Sequence, residues 1–235
     1  MIIMKKIYFT LIALLASINM FAQGWPANYS GVMLQGFSWD SYDYSQWSVL
    51  EKQADDMKGF IDLVWLPQSG KCIETTKVMG YKPYYYFNQN SSFGTEAELR
   101  SLIAKFKANG IGAIADVVVN HRNTDGWFTF PAETYNGVTY QMLSTDICKN
   151  DDSGSTATQA KKDGVSLSNN YDEGTDFGGC RDIDHKSENV QKIIKAYLKF
   201  LKEDIGYTGF RYDMVKGFSG THVADYNDAT GVEFS

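Results

Sequence analysis

The chain has 235 residues, 43% of them hydrophobic and 21% charged, which is a globular composition and excludes a disordered one. Its formal net charge of −6 argues against nucleic acid, whose phosphates attract basic surfaces, and suits a neutral substrate or a cation.

Lys5 and Lys6, the apolar run Ile7–Ile18 and the small residue Ala22 predict a signal peptide over residues 1–22 and a secreted or periplasmic protein. That apolar run is too short to span a bilayer, and no later segment is apolar enough, so no membrane span is expected. Val32–Phe37 reads as a first buried strand, Gln46–Lys58 as a helix, and Ile61–Leu66 as a second strand stopped by Pro67. Thr95 and Glu98 form a capping box ahead of a helix whose Leu99, Leu102, Ile103 and Phe106 make one apolar stripe, ended by Asn109-Gly110. Ile111–Val119 is a near-continuous apolar run, the mark of a parallel strand covered on both faces. Residues 120–184 are rich in Gly, Asn, Asp, Ser and Thr, lack any sustained period and are too long for an ordinary loop, so they read as an inserted small domain. A second helical stripe follows through Val190, Ile193, Ile194, Tyr197, Leu198 and Leu201. Gly206 breaks it, and Gly209–Asp213 reads as a further strand.

This alternation of strand and helix implies a parallel α/β sheet, either doubly wound or a (β/α)8 barrel. No Gly-x-Gly-x-x-Gly follows the first strand, which lowers the odds of a dinucleotide fold. In such folds chemistry gathers at the carboxyl ends of strands. Asp116 sits inside an apolar run, and a buried carboxylate requires a partner. Arg211 and Asp213 alternate onto one face of their strand, and Arg211 is the expected bidentate partner of Asp116. Spacing alone leaves a purely structural salt bridge equally open. Asn120 and the carboxylates of 171–185 offer hard oxygen ligands of the kind Ca2+ takes, although solvated acidic loops are the commoner explanation. The three cysteines form no C-x-x-C pair, and a Cys148–Cys180 bridge stays open.

Seven segments in order resemble the α-amylase family of retaining glycoside hydrolases, and its plant-type members in particular. They are Met33–Trp39, Val64–Pro67, Gly80–Pro83, Phe93–Leu99, Ala115–His121, Asp182–His185 and Gly209–Asp213. The resemblance implies a (β/α)8 TIM barrel with a small domain inserted after the third strand. Residues 23–119 would be the first part of the barrel, 120–184 the insert and 185–235 the continuation through strand four. It implies hydrolysis of α-1,4-glucosidic bonds in starch-like α-glucans, with Asp213 as nucleophile and Arg211 orienting it and holding its charge. His121 would hydrogen-bond the sugar, Tyr81 would stack on it and Lys216 would line the leaving-group side. It also implies structural Ca2+ held by Asn120, Asp172, Asp182, the Gly217 carbonyl and Asp176. In retaining hydrolysis a second carboxylic acid protonates the leaving oxygen and then activates water. In the family that acid lies just beyond the segment matching Gly231–Ser235, so Glu233 is not assigned to it. The expectation is of an incomplete barrel, inactive alone. A non-catalytic glucan-binding remnant, or another α-glucan-active member of the superfamily, is the alternative.

Overall fold

The computed structural model describes residues 24–235, so the expected signal peptide lies outside the described residues. In chain order the elements are β1 (Met33–Gln35), α1 (Trp47–Met57), β2 (Leu63–Leu66), α2 (Glu96–Ala108) and β3 (Gly112–Val117). The short strands β4 (His121–Arg122), β5 (Glu133–Tyr135) and β6 (Val138–Tyr140), α3 (Ser155–Asp163) and β7 (Arg181–Asp182) follow. α4 (Glu188–Lys199), β8 (Gly209–Tyr212) and α5 (Gly220–Thr230) close the described chain.

β1, β2, β3 and β8 form one parallel sheet in that order, in which Asp116 on β3 lies directly opposite Arg211 on β8. Each parallel step needs a crossover, and α1 and α2 supply the first two while α4 supplies the return to β8. Between β3 and α4 stand two antiparallel pairs, β4 with β7 and the β5–β6 hairpin.

Strand side chains alternate between the two sheet faces. Val64, Leu66, Ala113, Ala115, Val117, Phe210 and Tyr212 face the helices in the main core, with Leu99, Leu102, Phe106, Ile194 and Leu198 packed in the same cluster. The opposite face carries Leu63, Trp65, Ile114, Asp116 and Arg211. At its base Phe234 meets Trp25 and Tyr29 edge-on at 5.3 and 5.2 Å, and those two rings meet each other tilted at 5.3 Å. Above them a cavity of about 570 Å3 opens between Trp25, Trp65, Ile114, Phe210 and Val223. Phe234 bridges Gly209 in parallel, so Gly231–Ser235 runs beside β8, as a fifth strand would begin.

The capping box expected at Thr95 is present: the Glu98 amide donates to Thr95 Oγ1 at 3.3 Å and the Thr95 amide to Glu98 Oε2 at 2.8 Å. Thr95→Ala is expected to lower stability by about 1 kcal/mol, read from a urea melt; an unchanged midpoint would show that α2 does not depend on this cap.

The second stripe differs from its expected form. Regular helix stops at Lys199, and a six-residue π turn, Phe200–Ile205, carries the chain to Gly206 (φ 100°). Phe200, Leu201 and Ile205 are all buried along this turn. The three cysteines are all free and buried, so the Cys148–Cys180 bridge left open by the sequence is not formed.

Candidate active site

The carboxyl ends of β3 and β8 carry the central group. Arg211 Nη1 donates to Asp116 Oδ1 at 2.9 Å and to Asp213 Oδ1 at 2.7 Å. One nitrogen therefore serves both carboxylates, in place of the bidentate pair expected with Asp116. The cause is the pairing register, which sets Arg211 directly opposite Asp116 while Asp213 follows two residues on along the same face. The guanidinium also lies over the Trp65 ring, 5.0 Å from its centroid, which fixes its plane. The Asp116 side chain is 0% exposed, and its Oδ2 accepts from the Tyr81 hydroxyl at 3.2 Å. Burial pushes the Asp116 carboxyl up to about 6, against the opposing pull of Arg211. Asp213 is tied to the sheet by its amide, which donates to the Val117 carbonyl at 2.9 Å. The next residue, Met214, turns into the left-handed region (φ 51°), an unfavourable conformation for a side chain of this kind.

Tyr81 rides on the loop after β2. Gly80 must be glycine there: its φ is 98°, and a Cβ would stand 2.8 Å from the Gln68 carbonyl oxygen. Trp39, 71% exposed, lies parallel to the Tyr81 ring with centroids 6.0 Å apart. The pair forms an open aromatic wall beside Asp116 and Arg211.

His121 stands on β4 and stacks on Phe177 at 3.7 Å. Its Nε2 meets the Tyr81 carbonyl at 2.8 Å. A carbonyl only accepts, so Nε2 carries the proton and Nδ1 is left to accept from the Asn120 amide at 3.3 Å. Burial pulls His121 below the usual histidine value, consistent with this neutral form. A sugar contact from His121 therefore requires exchange of one of these two bonds. Lys216 is exposed on the turn after β8.

The expected oxygen ligands gather beside this centre. Asn120 Nδ2 donates to Asp182 Oδ1 at 3.0 Å, and Asn120 Oδ1 packs so closely on Gly217 that a Cβ there would fall 2.0 Å away. The Thr175 amide donates to the Lys216 carbonyl at 2.9 Å, joining the acidic loop to the turn after Asp213. Asp151, Asp176 and Asp182 can bring one oxygen each within 4.8 Å of one another. Asp151 was not singled out by the sequence, which offers no periodic or motif signal there; it also binds Arg181 at 2.6 Å. Asp172 stands outside that trio, but its Oδ2 is buried without a partner. Burial, together with the Asp176 and Asp172 carboxylates, pushes Asp182 well above the carboxylate range. An all-oxygen set with excess negative charge and an orphaned buried carboxylate oxygen fits a hard divalent cation.

Comparison with known proteins decides the family. The description "Alpha amylase, catalytic domain" matches residues 60–232. The chain belongs to the α-amylase family. It is 32% identical over 206 residues to the chloroplastic alpha-amylase 3 of Arabidopsis thaliana, covering 87% of this chain and 22% of that protein. It is 29% identical over 206 residues to the probable alpha-amylase 2 of the same plant, covering 87% of this chain and 46% of the relative. Among solved structures, alpha-amylase I of Eisenia fetida superposes with a TM-score of 0.60 at 18% identity, over 88% of this chain and 43% of that one. The chain thus spans less than half the length of these relatives. Its four-stranded sheet with intervening helices is part of the α-amylase (β/α)8 barrel.

Proposed function

We propose that this chain carries the nucleophile of an enzyme that hydrolyses α-1,4-glucosidic bonds in starch-like glucans with retention of configuration. The observation behind this is the single Arg211 nitrogen shared between Asp116 and Asp213 at the carboxyl edge of the sheet. Arg211 holds Asp213 Oδ1 and leaves Oδ2 for attack on the anomeric carbon. The guanidinium balances one carboxylate charge while Asp116, buried and bonded through both oxygens, holds the guanidinium in turn. Trp39 and Tyr81 present ring faces suited to a pyranose.

Retaining chemistry also needs an acid about 5–5.5 Å from the nucleophile. Asp116 cannot serve, because both its oxygens are engaged. Glu233 cannot serve either: its neighbour Phe234 pairs with Gly209, at the opposite end of β8 from Asp213 and about 13 Å away along the strand.

A substrate that needs no acid therefore tests the nucleophile alone. With 5-fluoro-α-glucosyl fluoride, Asp213 displaces fluoride and retains a glycosyl ester on its carboxylate. Mass spectrometry is expected to find that adduct on the peptide containing Asp213, and to find none in Asp213→Asn. An unlabelled wild-type chain that still binds maltoheptaose would instead mark a non-catalytic glucan-binding protein.

The same reading includes Ca2+ held by Asn120, Asp172, Asp176, Asp182 and the Gly217 carbonyl. Its contribution would be structural, neutralising the carboxylates and joining segment 172–182 to the turn after Asp213. Export directed by residues 1–22 completes the proposal. Among the described residues, no helix is long and apolar enough to cross a membrane.

A further inference from the structure

Behind the Tyr81 loop lies a charged pair that the chemistry above does not use. Arg122 Nη2 donates to Glu133 Oε2 at 2.7 Å, and the side chains are only 1% and 7% exposed. An ion pair this dry is a poor source of stability, since well-packed apolar residues of similar size serve as well or better. What sets it apart is where its remaining bonds go. Arg122 Nε and Nη2 both donate to the Tyr84 carbonyl, at 3.1 and 2.8 Å. The two Glu133 oxygens accept the successive amides of Tyr86 and Phe87, at 2.9 and 2.8 Å. Every one of these bonds ends on the backbone of a single segment, residues 84–87.

That segment continues directly from Tyr81. The strand bearing Arg122 runs alongside it: His121 Nε2 meets the Tyr81 carbonyl and the Asn123 amide meets the Pro83 carbonyl at 2.8 Å. Aromatic contacts extend the clamp to the barrel. Arg122 lies 4.1 Å over the Tyr86 ring, and Tyr86 stacks on Tyr197 of α4 at 4.5 Å.

We propose that Arg122 and Glu133 are positioning residues of the sugar site, holding residues 81–87 so that the Tyr81 ring and carbonyl meet Asp116 and His121. This rests on reading Tyr81 as a sugar platform. A misplacement of about 1 Å in such a group can slow a reaction on the order of a hundredfold.

The test uses the full chain with Arg122→Met and Glu133→Leu combined, which removes both charges together and so leaves neither orphaned. Three measurements are made: thermal unfolding, maltoheptaose affinity by calorimetry, and the nitrogen-15 NMR signal of the His121 Nε2–H, which reports its bond to Tyr81. Because the Tyr84 carbonyl and the Tyr86 and Phe87 amides lose these partners, the variant is expected to melt several degrees below wild type while staying folded at 25 °C, with the His121 signal displaced and affinity reduced on the order of tenfold. A folded variant with wild-type affinity overturns the proposal, whether or not the His121 signal moves. If the double variant fails to fold, Arg122→Lys, which keeps the charge but loses the planar fork, is judged on the same two readouts. If wild type itself binds no maltoheptaose, the glucan reading fails separately, and the ligand-free His121 signal still decides whether the pair positions the loop.

Discussion

Methionine in place of Arg211 is expected to destabilise the fold by about 2–3 kcal/mol near pH 7.5, and by less near pH 4.5. The loss comes from Asp116, which keeps only the Tyr81 hydroxyl once the guanidinium is gone. Arg211 itself is 40% exposed, which places the figure below that for a fully buried pair. The pH dependence follows from the direction of the Asp116 shift. Burial raises the carboxyl from 3.8 to about 6, so in that window the folded chain keeps a proton the unfolded chain has released. Stability therefore falls as pH rises through the window. Arg211 opposes the shift, so its removal extends the window upward and deepens the loss at neutral pH. Urea melts at the two pH values check this. An equal loss at both would show that Arg211 does not govern the ionisation of Asp116.

Calcium at a hundredfold excess over its dissociation constant is expected to stabilise the chain by about 2.7 kcal/mol, and Asp182→Ala to abolish most of that gain. The carboxylate cluster makes a second, more specific demand. Burial and the neighbouring Asp176 and Asp172 push Asp182 well above the carboxylate range, so without a cation this carboxylate cluster favours keeping a shared proton. Cation binding requires the ionised form, so binding should release close to one proton, and affinity should rise with pH until that proton is lost. Calorimetry in two buffers of different ionisation enthalpy measures the release. An affinity unchanged by Asp182→Ala would remove Asp182 from the ligand set, and binding heats independent of buffer would show that the cluster is already ionised before the cation binds.

The barrel elements were legible because their signals are local. The Thr95 box, the stripe from Leu99 to Phe106 and the apolar run before Asn120 each depend on residues a few positions apart. The Asp116–Arg211 partnership was legible for a different reason: both are polar residues at equivalent ends of parallel strands, and they pair in register. Three features could not be read that way. The shared Arg211 nitrogen depends on the register between strands, which no spacing within one strand specifies. The Arg122–Glu133 clamp depends on how the hairpin of β5 and β6 folds back, in a stretch without periodicity. The closure of the sheet base by Trp25, Tyr29 and Phe234 joins the two ends of the described chain, and their sequence separation hides it.

The register between β3 and β8 also bears on how such a chain can change length. Side chains on a strand alternate with period two, so losing Tyr212 would put Arg211 and Asp213 on opposite faces, and losing Phe210 would shift both against Asp116. Insertions between β6 and β7 meet no such parity rule, provided the Asp151, Asp172, Asp176 and Asp182 carboxylates still converge. Evolution of this scaffold should therefore show single-residue gaps tolerated between β6 and β7 away from Asp151, Asp172 and Asp176, and excluded from the four residues leading into Asp213.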